Sequence, residues 1–166
     1  DTYRVDDPED AVVELEGEGR DQIIATAGGA DAVFALPDQV EDLVLAGTLA
    51  TDGAGNGLDN RLTGNGAINL LVGGAGDDTL DGGGAADILA GGIGDDLYLA
   101  DLADEIVEGD GEGTDTVQAA VSYTLPENVE RLVLIGAAPI NGTGNEFDNV
   151  LTGNAAFSGV RVTVQR

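Results

Sequence analysis

Three nine-residue phrases, GGAGDDTLD (73–81), GGGAADILA (82–90) and GGIGDDLYL (91–99), follow one another without a gap. Each opens on a glycine pair, carries aspartate at the sixth place (Asp78, Asp87, Asp96) and sets a large apolar residue at the eighth (Leu80, Leu89, Tyr98). Upstream, GNGLDNRLT (55–63) and GNGAINLLV (64–72) hold the same frame, with Asn60 and Asn69 replacing aspartate and Leu62 and Leu71 at the apolar place. A unit this short cannot bury its own apolar residue, so it folds only by stacking on copies of itself. Glycine pairs turn the backbone sharply, and the alternation that follows, as in Asp78-Thr79-Leu80-Asp81, suits a very short strand with one side chain pointing inward. Two phrases then complete a circuit of about eighteen residues, with successive coils at the parallel-strand spacing of roughly 4.8 Å. The expected fold is all-β, a right-handed parallel β-roll or β-helix solenoid. Each phrase lies over the phrase after next, which puts Asp78 and Asp96 on one side of the coil and Asp87 on the other.

A longer repeat divides the chain. Tyr3 matches Tyr98, GEGRDQI (17–23) matches GEGTDTV (111–117), LPDQVEDLVLAG (36–47) matches LPENVERLVLIG (125–136), and GNGLDNRLTGN (55–65) matches GNEFDNVLTGN (144–154). The offset shrinks from 95 to 89 residues, and the extra residues of the first copy fall mostly in ATAGGADAV (25–33), which reads as an enlarged loop. We therefore expect a single solenoid domain over 1–166, comprising a first long copy (3–72), the nonapeptide core (73–99), a second long copy (98–154) and a divergent C-terminal cap (155–166). Asp1-Thr2-Tyr3 aligns with Asp96-Leu97-Tyr98, so the sequence opens at the sixth place of a phrase, as expected of a piece of a longer array.

Charge decides what such a coil needs. The chain has 32 acidic residues against 6 basic ones, a formal net charge of -26, and neither histidine nor cysteine. Stacked carboxylates a few Å apart repel by about 1–4 kcal/mol per pair, depending on the local dielectric. A cation between the coils reverses that sign, and with imidazole and thiolate missing its ligands must be oxygens. Calcium fits, because it accepts six to eight oxygens in irregular geometry, whereas magnesium wants a tight octahedron and zinc favours nitrogen or sulfur. Without lysine, and with only six arginines, the chain has no basic surface for nucleic acid. No apolar run approaches a membrane span, and DTYRVDDPED lacks the regions of a secretory signal.

The phrase GGxGxDxUx, with U a large apolar residue, resembles the calcium-binding nonapeptide of the RTX (repeat-in-toxin, haemolysin-type) proteins. Residues 73–81 and 91–99 fit it at every place, while 82–90 has Ala85 where glycine is expected, which predicts a distorted turn. The flanking GEGxDxV, LPxxVExLxLxG and GNxxDNxLTGN text resembles modules found beside such repeats. The resemblance implies a β-roll that is disordered at low calcium and folds outside the cell, exported by type I secretion from a Gram-negative bacterium. By position it implies Gly73, Ala75 and Asp78 with Gly92, Gly94 and Asp96 as one calcium site. Gly82, Gly84 and Asp87 would pair either with the turn at 64–69 or with that at 100–105. We read the asparagine phrases as hydrogen-bonded stacks that need no ion; Asp21 and Asp115, each behind GxGx, fit either reading.

The function expected is a calcium-binding module that folds on meeting extracellular calcium and supports secretion and stability of a larger secreted protein. The alternative is a structural element of the cell surface, an adhesin, surface layer or filament, whose calcium-loaded rolls associate end to end. Partners are thus calcium ions, with self-association or a fused catalytic or adhesive domain beside them. No enzymatic role is expected. Ser122 and Ser158 have no histidine to activate them. Adjacent acids such as Asp77-Asp78 point to opposite faces of a strand and cannot work as a glycosidase pair. DGEGTD (110–115) lacks the glutamate that an EF-hand loop requires at its twelfth place, where Val121 stands.

Overall fold

A computed structural model describes residues 1–26 and 32–156. Most of the loop expected at 25–33, and the cap from residue 157 onward, lie outside the described residues. One face of the molecule is a nine-stranded sheet made of β1 (Thr2–Val5), β2 (Gln22–Ala25), β4 (Asp42–Leu45), β6 (Arg61–Thr63), β8 (Thr79–Asp81), β10 (Leu97–Ala100), β12 (Thr116–Ala119), β14 (Arg131–Leu134) and β16 (Val150–Thr152), in that order. The opposite face holds β3 (Val33–Ala35), β5 (Asp52–Ala54), β7 (Leu70–Ala75), β9 (Ile88–Ile93) and β11 (Glu105–Val107) in one sheet, and β13 (Tyr123–Thr124) with β15 (Gly142–Thr143) in another. Every pairing is parallel. The chain is a parallel β-solenoid whose strands alternate between the two faces from β2 onward, β1 and β2 following one another on the nine-stranded face, and no described residue is helical.

The apolar place builds the core. Along the nine-stranded face Tyr3, Ile23, Leu43, Leu62, Leu80, Tyr98, Val117, Leu132 and Leu151 stand in direct register, one per coil. Facing them are Phe34, Gly53, Leu71, Leu89 and Ile106. Leu62, Leu71, Leu80, Leu89 and Tyr98 are all fully buried, as the phrase frame predicts. Gly53 breaks the column because there is no room: a Cβ there would lie 2.9 Å from Leu43 Cδ2 and 3.1 Å from Leu71 Cδ2.

Coil length follows the phrases only in the middle of the chain. Leu62, Leu80 and Tyr98 are spaced by 18 positions, but the next step, to Val117, is 19 and the one after, to Leu132, is 15. Strands β7 and β9 also run further than the sequence suggests, through the glycine pair, so that Gly74 pairs with Gly92 and Ala75 with Ile93. Identical turns stacked in register let the ladder continue into the turn. Ala85 keeps the backbone of the glycine it replaces, with φ 131° beside 109° at Gly76 and 141° at Gly94. At Ala85 itself the backbone direction is kept, at the cost of the strain of an alanine at positive φ.

Candidate metal centre

The residue just before each strand of the nine-stranded face occupies the sixth place of its coil. Read along the stack, this row is Asp1, Asp21, Glu41, Asn60, Asp78, Asp96, Asp115, Glu130 and Asn149. Backbone N–H groups and carboxylates lock the row together. The Asn60 N–H donates to Asp78 Oδ1 (2.7 Å), Asp78 N–H to Asp96 Oδ1 (2.7 Å), Asp96 N–H to Asp115 Oδ1 (2.9 Å) and Asp115 N–H to Glu130 Oε2 (2.8 Å). Asp21 N–H donates to Glu41 Oε2 (2.8 Å) in the same way. A second row runs along the other edge, where Asn69 N–H donates to Asp87 Oδ1 (2.8 Å) and Asp87 N–H to Asp104 Oδ1 (3.2 Å). Asp78 and Asp96 thus share one side and Asp87 lies on the other, and the 82–87 turn sits between both partners proposed for it.

One oxygen of each carboxylate is accounted for and the other is not. Asp78, Asp87 and Asp96 are each about 1% exposed, and their Oδ2 atoms have no hydrogen-bond partner. Burying an ionised oxygen without a donor or a cation is strongly unfavourable. Burial accordingly pushes the Asp78 carboxyl up to about 6 and that of Asp96 to about 7, with the backbone N–H each accepts pulling the other way and neighbouring carboxylates adding to the rise. Asp115 is raised to about 6 and Asp87 is also raised, both chiefly by burial.

The first-place glycines open the space that these oxygens face. A Cβ on Gly73 would overlap Asp78 Oδ2 and lie 2.6 Å from the Gly91 carbonyl oxygen, and one on Gly82 would lie 2.5 Å from Asp87 Oδ2. A Cβ on Gly91 would overlap Asp96 Oδ2. Each cradle is lined by a carboxylate oxygen without a donor, joined at Gly73 by the Gly91 carbonyl oxygen and at Gly91 by the Tyr98 hydroxyl, hard oxygen donors of the kind calcium takes. The other predicted positions lie in the same stacked turns. Gly92 and Gly94 stack directly on the Gly74 and Gly76 carbonyls, Ala75 N–H donates to the Asn56 carbonyl (3.3 Å), and Gly84 N–H to that of Asn65 (3.1 Å).

The structure also gathers residues that the sequence reading passed over. Asp96, Glu108 and Asp115 bring carboxylate oxygens within 4.8 Å of one another, as do Asp1, Glu14 and Asp21. Glu41, Asp104 and Glu130 serve as acceptors at the places where the phrases have lost their aspartate. The fifth-place acids form an exposed ladder of their own: Asp77 N–H donates to Asp59 Oδ1 and Asp95 N–H to Asp77 Oδ1, both 2.9 Å. Asp77 and Asp78 therefore do face opposite ways.

Residues 63–98 match the family described as RTX calcium-binding nonapeptide repeat (4 copies). The segment is an RTX repeat array. Within it stand the three phrases with aspartate at the sixth place, whose buried oxygens have no donor. The chain is also 40% identical over 58 residues to Endo-1,3-1,4-beta-glycanase ExsH of Rhizobium meliloti (strain 1021); the aligned part covers 35% of this chain and 12% of that protein. No solved structure matches the chain. RTX phrases thus occupy the middle of the solenoid, and the flanking coils continue the same two columns without the full motif.

Proposed function

We propose that the chain is a calcium-dependent folding module of a larger secreted protein, unfolded where calcium is scarce and ordered where it is abundant. The observation that carries this reading is the set of buried Asp78, Asp87 and Asp96 Oδ2 atoms without partners, on both edges of the coil. Bound calcium supplies a divalent charge and accepts several oxygens at once. The chain's own residues do the rest: the first-place glycines leave space, Oδ1 of each aspartate fixes the neighbouring coil through its N–H, and Oδ2 is held ready at the cradle. Without the ion the coils stack their charges, and the fold loses the surplus that a glycine-rich chain needs to offset its ordering entropy.

Extracellular calcium is the matching range, since modules of that compartment bind at about 0.1–1 mM. The relative that shares 58 residues is named a glycanase, but the aligned part is 12% of its length, so we assign this chain the accessory array beside such an enzyme and no catalytic step.

Circular dichroism during a calcium titration, with ions counted at the end, tests the proposal. Coil in chelator and β-structure appearing at about 0.1–1 mM free calcium is the expected result. A β signal unchanged by chelation overturns it.

A further inference from the structure

Where the nonapeptide pattern stops, the first place of the coil is no longer glycine. Val107 pairs with Ala90, so the following residue, Glu108, stands in register above Gly91. A side chain is tolerated there because the turn has grown: Ala90 to Leu97 spans 7 positions, whereas Val107 to Thr116, the partners of those two residues, spans 9. Glu108 uses the room to fold inward. Its Oε1 accepts a hydrogen bond from the Tyr98 hydroxyl, and its Oε2 is buried with no partner. The Tyr98 hydroxyl in turn accepts from the Gly91 N–H (2.7 Å), so the phenol is held at both ends.

Asp96 Oδ2 points at the same spot, since a Cβ on Gly91 would overlap both that atom and the Tyr98 hydroxyl. We propose that Asp96, Glu108 and Asp115 form a cation site of a second kind, in which a glutamate side chain replaces the first-place cradle and Tyr98 is the positioning residue that aims it. This rests on reading the array as calcium-binding, and places one more calcium in the gap one coil beyond the last full nonapeptide. Three carboxylates converge within 4.8 Å, two of them, Asp96 and Glu108, with a buried oxygen lacking a donor, and neither described salt bridge brings an arginine to them.

The arrangement occurs twice. Asp1, Glu14 and Asp21 form the matching cluster, with Tyr3 donating its hydroxyl to Glu14 Oε1 just as Tyr98 does to Glu108. The intervening text differs, VVELEGEGRD (12–21) against IVEGDGEGTD (106–115), yet tyrosine, glutamate and both aspartates recur. A structural capping role alone explains one short contact; it does not explain why three acids converge in both copies without an arginine among them, the Asp1 ammonium pairing with Asp21 in the first copy and no described cation standing in that place in the second.

The test compares the full chain with its Glu108→Gln variant, counting bound calcium and recording Tb³⁺ emission sensitised by tyrosine. The chain has no tryptophan, so a Tyr3→Phe/Tyr123→Phe background leaves Tyr98 as the antenna. Expected is the loss of one calcium per chain in Glu108→Gln, with loss of most Tyr98-sensitised emission and the calcium-induced β signal retained. Glu14→Gln in the natural background also loses one. A Tyr98→Phe variant, which keeps the aromatic core and removes only the hydroxyl, binds that ion about 10–100-fold more weakly, and it answers the question should Glu108→Gln fail to fold. The same ion count and the same emission in Glu108→Gln, or unchanged affinity in Tyr98→Phe, overturns the site. A parent chain that folds without calcium overturns the wider reading instead, and the Tb³⁺ comparison still decides this one.

Discussion

The turn at Gly55–Asn60 and the turn at Gly73–Asp78 lie directly on one another, yet they are finished in different ways. In the first, Asn60 Oδ1 accepts the Asn56 N–H (2.7 Å) and its Nδ2 reaches the carbonyls of Val40 (3.4 Å) and Glu41 (3.3 Å) in the coil before. Asn69 and Asn149 repeat the scheme, with Nδ2 on the Thr51 carbonyl (2.6 Å) and the Val129 carbonyl (3.2 Å). In the second turn, Asp78 has no donor to offer, and Oδ2 is left over. One nitrogen atom separates a turn that closes on itself from a turn that calls for a cation. The asparagine turns thus need no ion of their own, while the aspartate turns tie theirs to calcium.

The largest expected effect comes from turning one kind of turn into the other. Asp78→Asn/Asp96→Asn gives each site an amide donor for the coil before it and removes a buried charge. Relieving an unsatisfied buried group is worth about 1–3 kcal/mol each, so the chelated variant should gain β-structure and lose most of its calcium response in a titration followed by circular dichroism. A variant that still needs calcium to fold breaks the comparison.

Acidity should act on the aspartate turns and spare the asparagine ones. The folded-state values of about 6 for Asp78 and Asp115 and about 7 for Asp96 lie above the ordinary 3.8. The folded chain therefore holds protons more tightly than the unfolded chain between those limits. In chelator its stability is fully present below about pH 4 and is lost as pH rises through about 7. With calcium the sign is opposite for binding, because protons and the ion compete for the same oxygens, and affinity falls as pH drops below about 7. Thermal melts at pH 5 and pH 8, with and without chelator, read both trends.

The smallest effect belongs to Ala85, held at φ 131° in the 82–87 turn. Ala85→Gly restores the phrase and relieves strain of about 1 kcal/mol, a rise of roughly 2–4 °C in melting temperature for a chain of this size. No change in calcium number should accompany it.

Much of this architecture was legible because its period is fixed. Leucines at the eighth place and aspartates at the sixth have one consistent solution, and the two columns and two rows follow from it. Glu108 and Glu14 escaped for a physical reason: they act where coil length changes, and a nine-residue frame has no register there. A signal was nonetheless present. The match of GEGRDQI to GEGTDTV extends four residues upstream at the same offset to Val13-Glu14 and Val107-Glu108. Glu41 and Glu130 were hidden in the LPxxVE text, where only strand pairing reveals that they stand at the sixth place. The expectation that asparagine turns are hydrogen-bonded stacks agrees with the amide contacts of Asn56, Asn60, Asn69 and Asn145.

Hydrogen exchange, compared between calcium and chelator and resolved by segment, tests the central claim most directly. We expect the amides of 73–115 to lose nearly all protection on chelation, with a smaller loss over the asparagine-finished coils at 42–63. Equal protection of 73–115 in both media would contradict the account, since the buried aspartate oxygens would then be held without the ion.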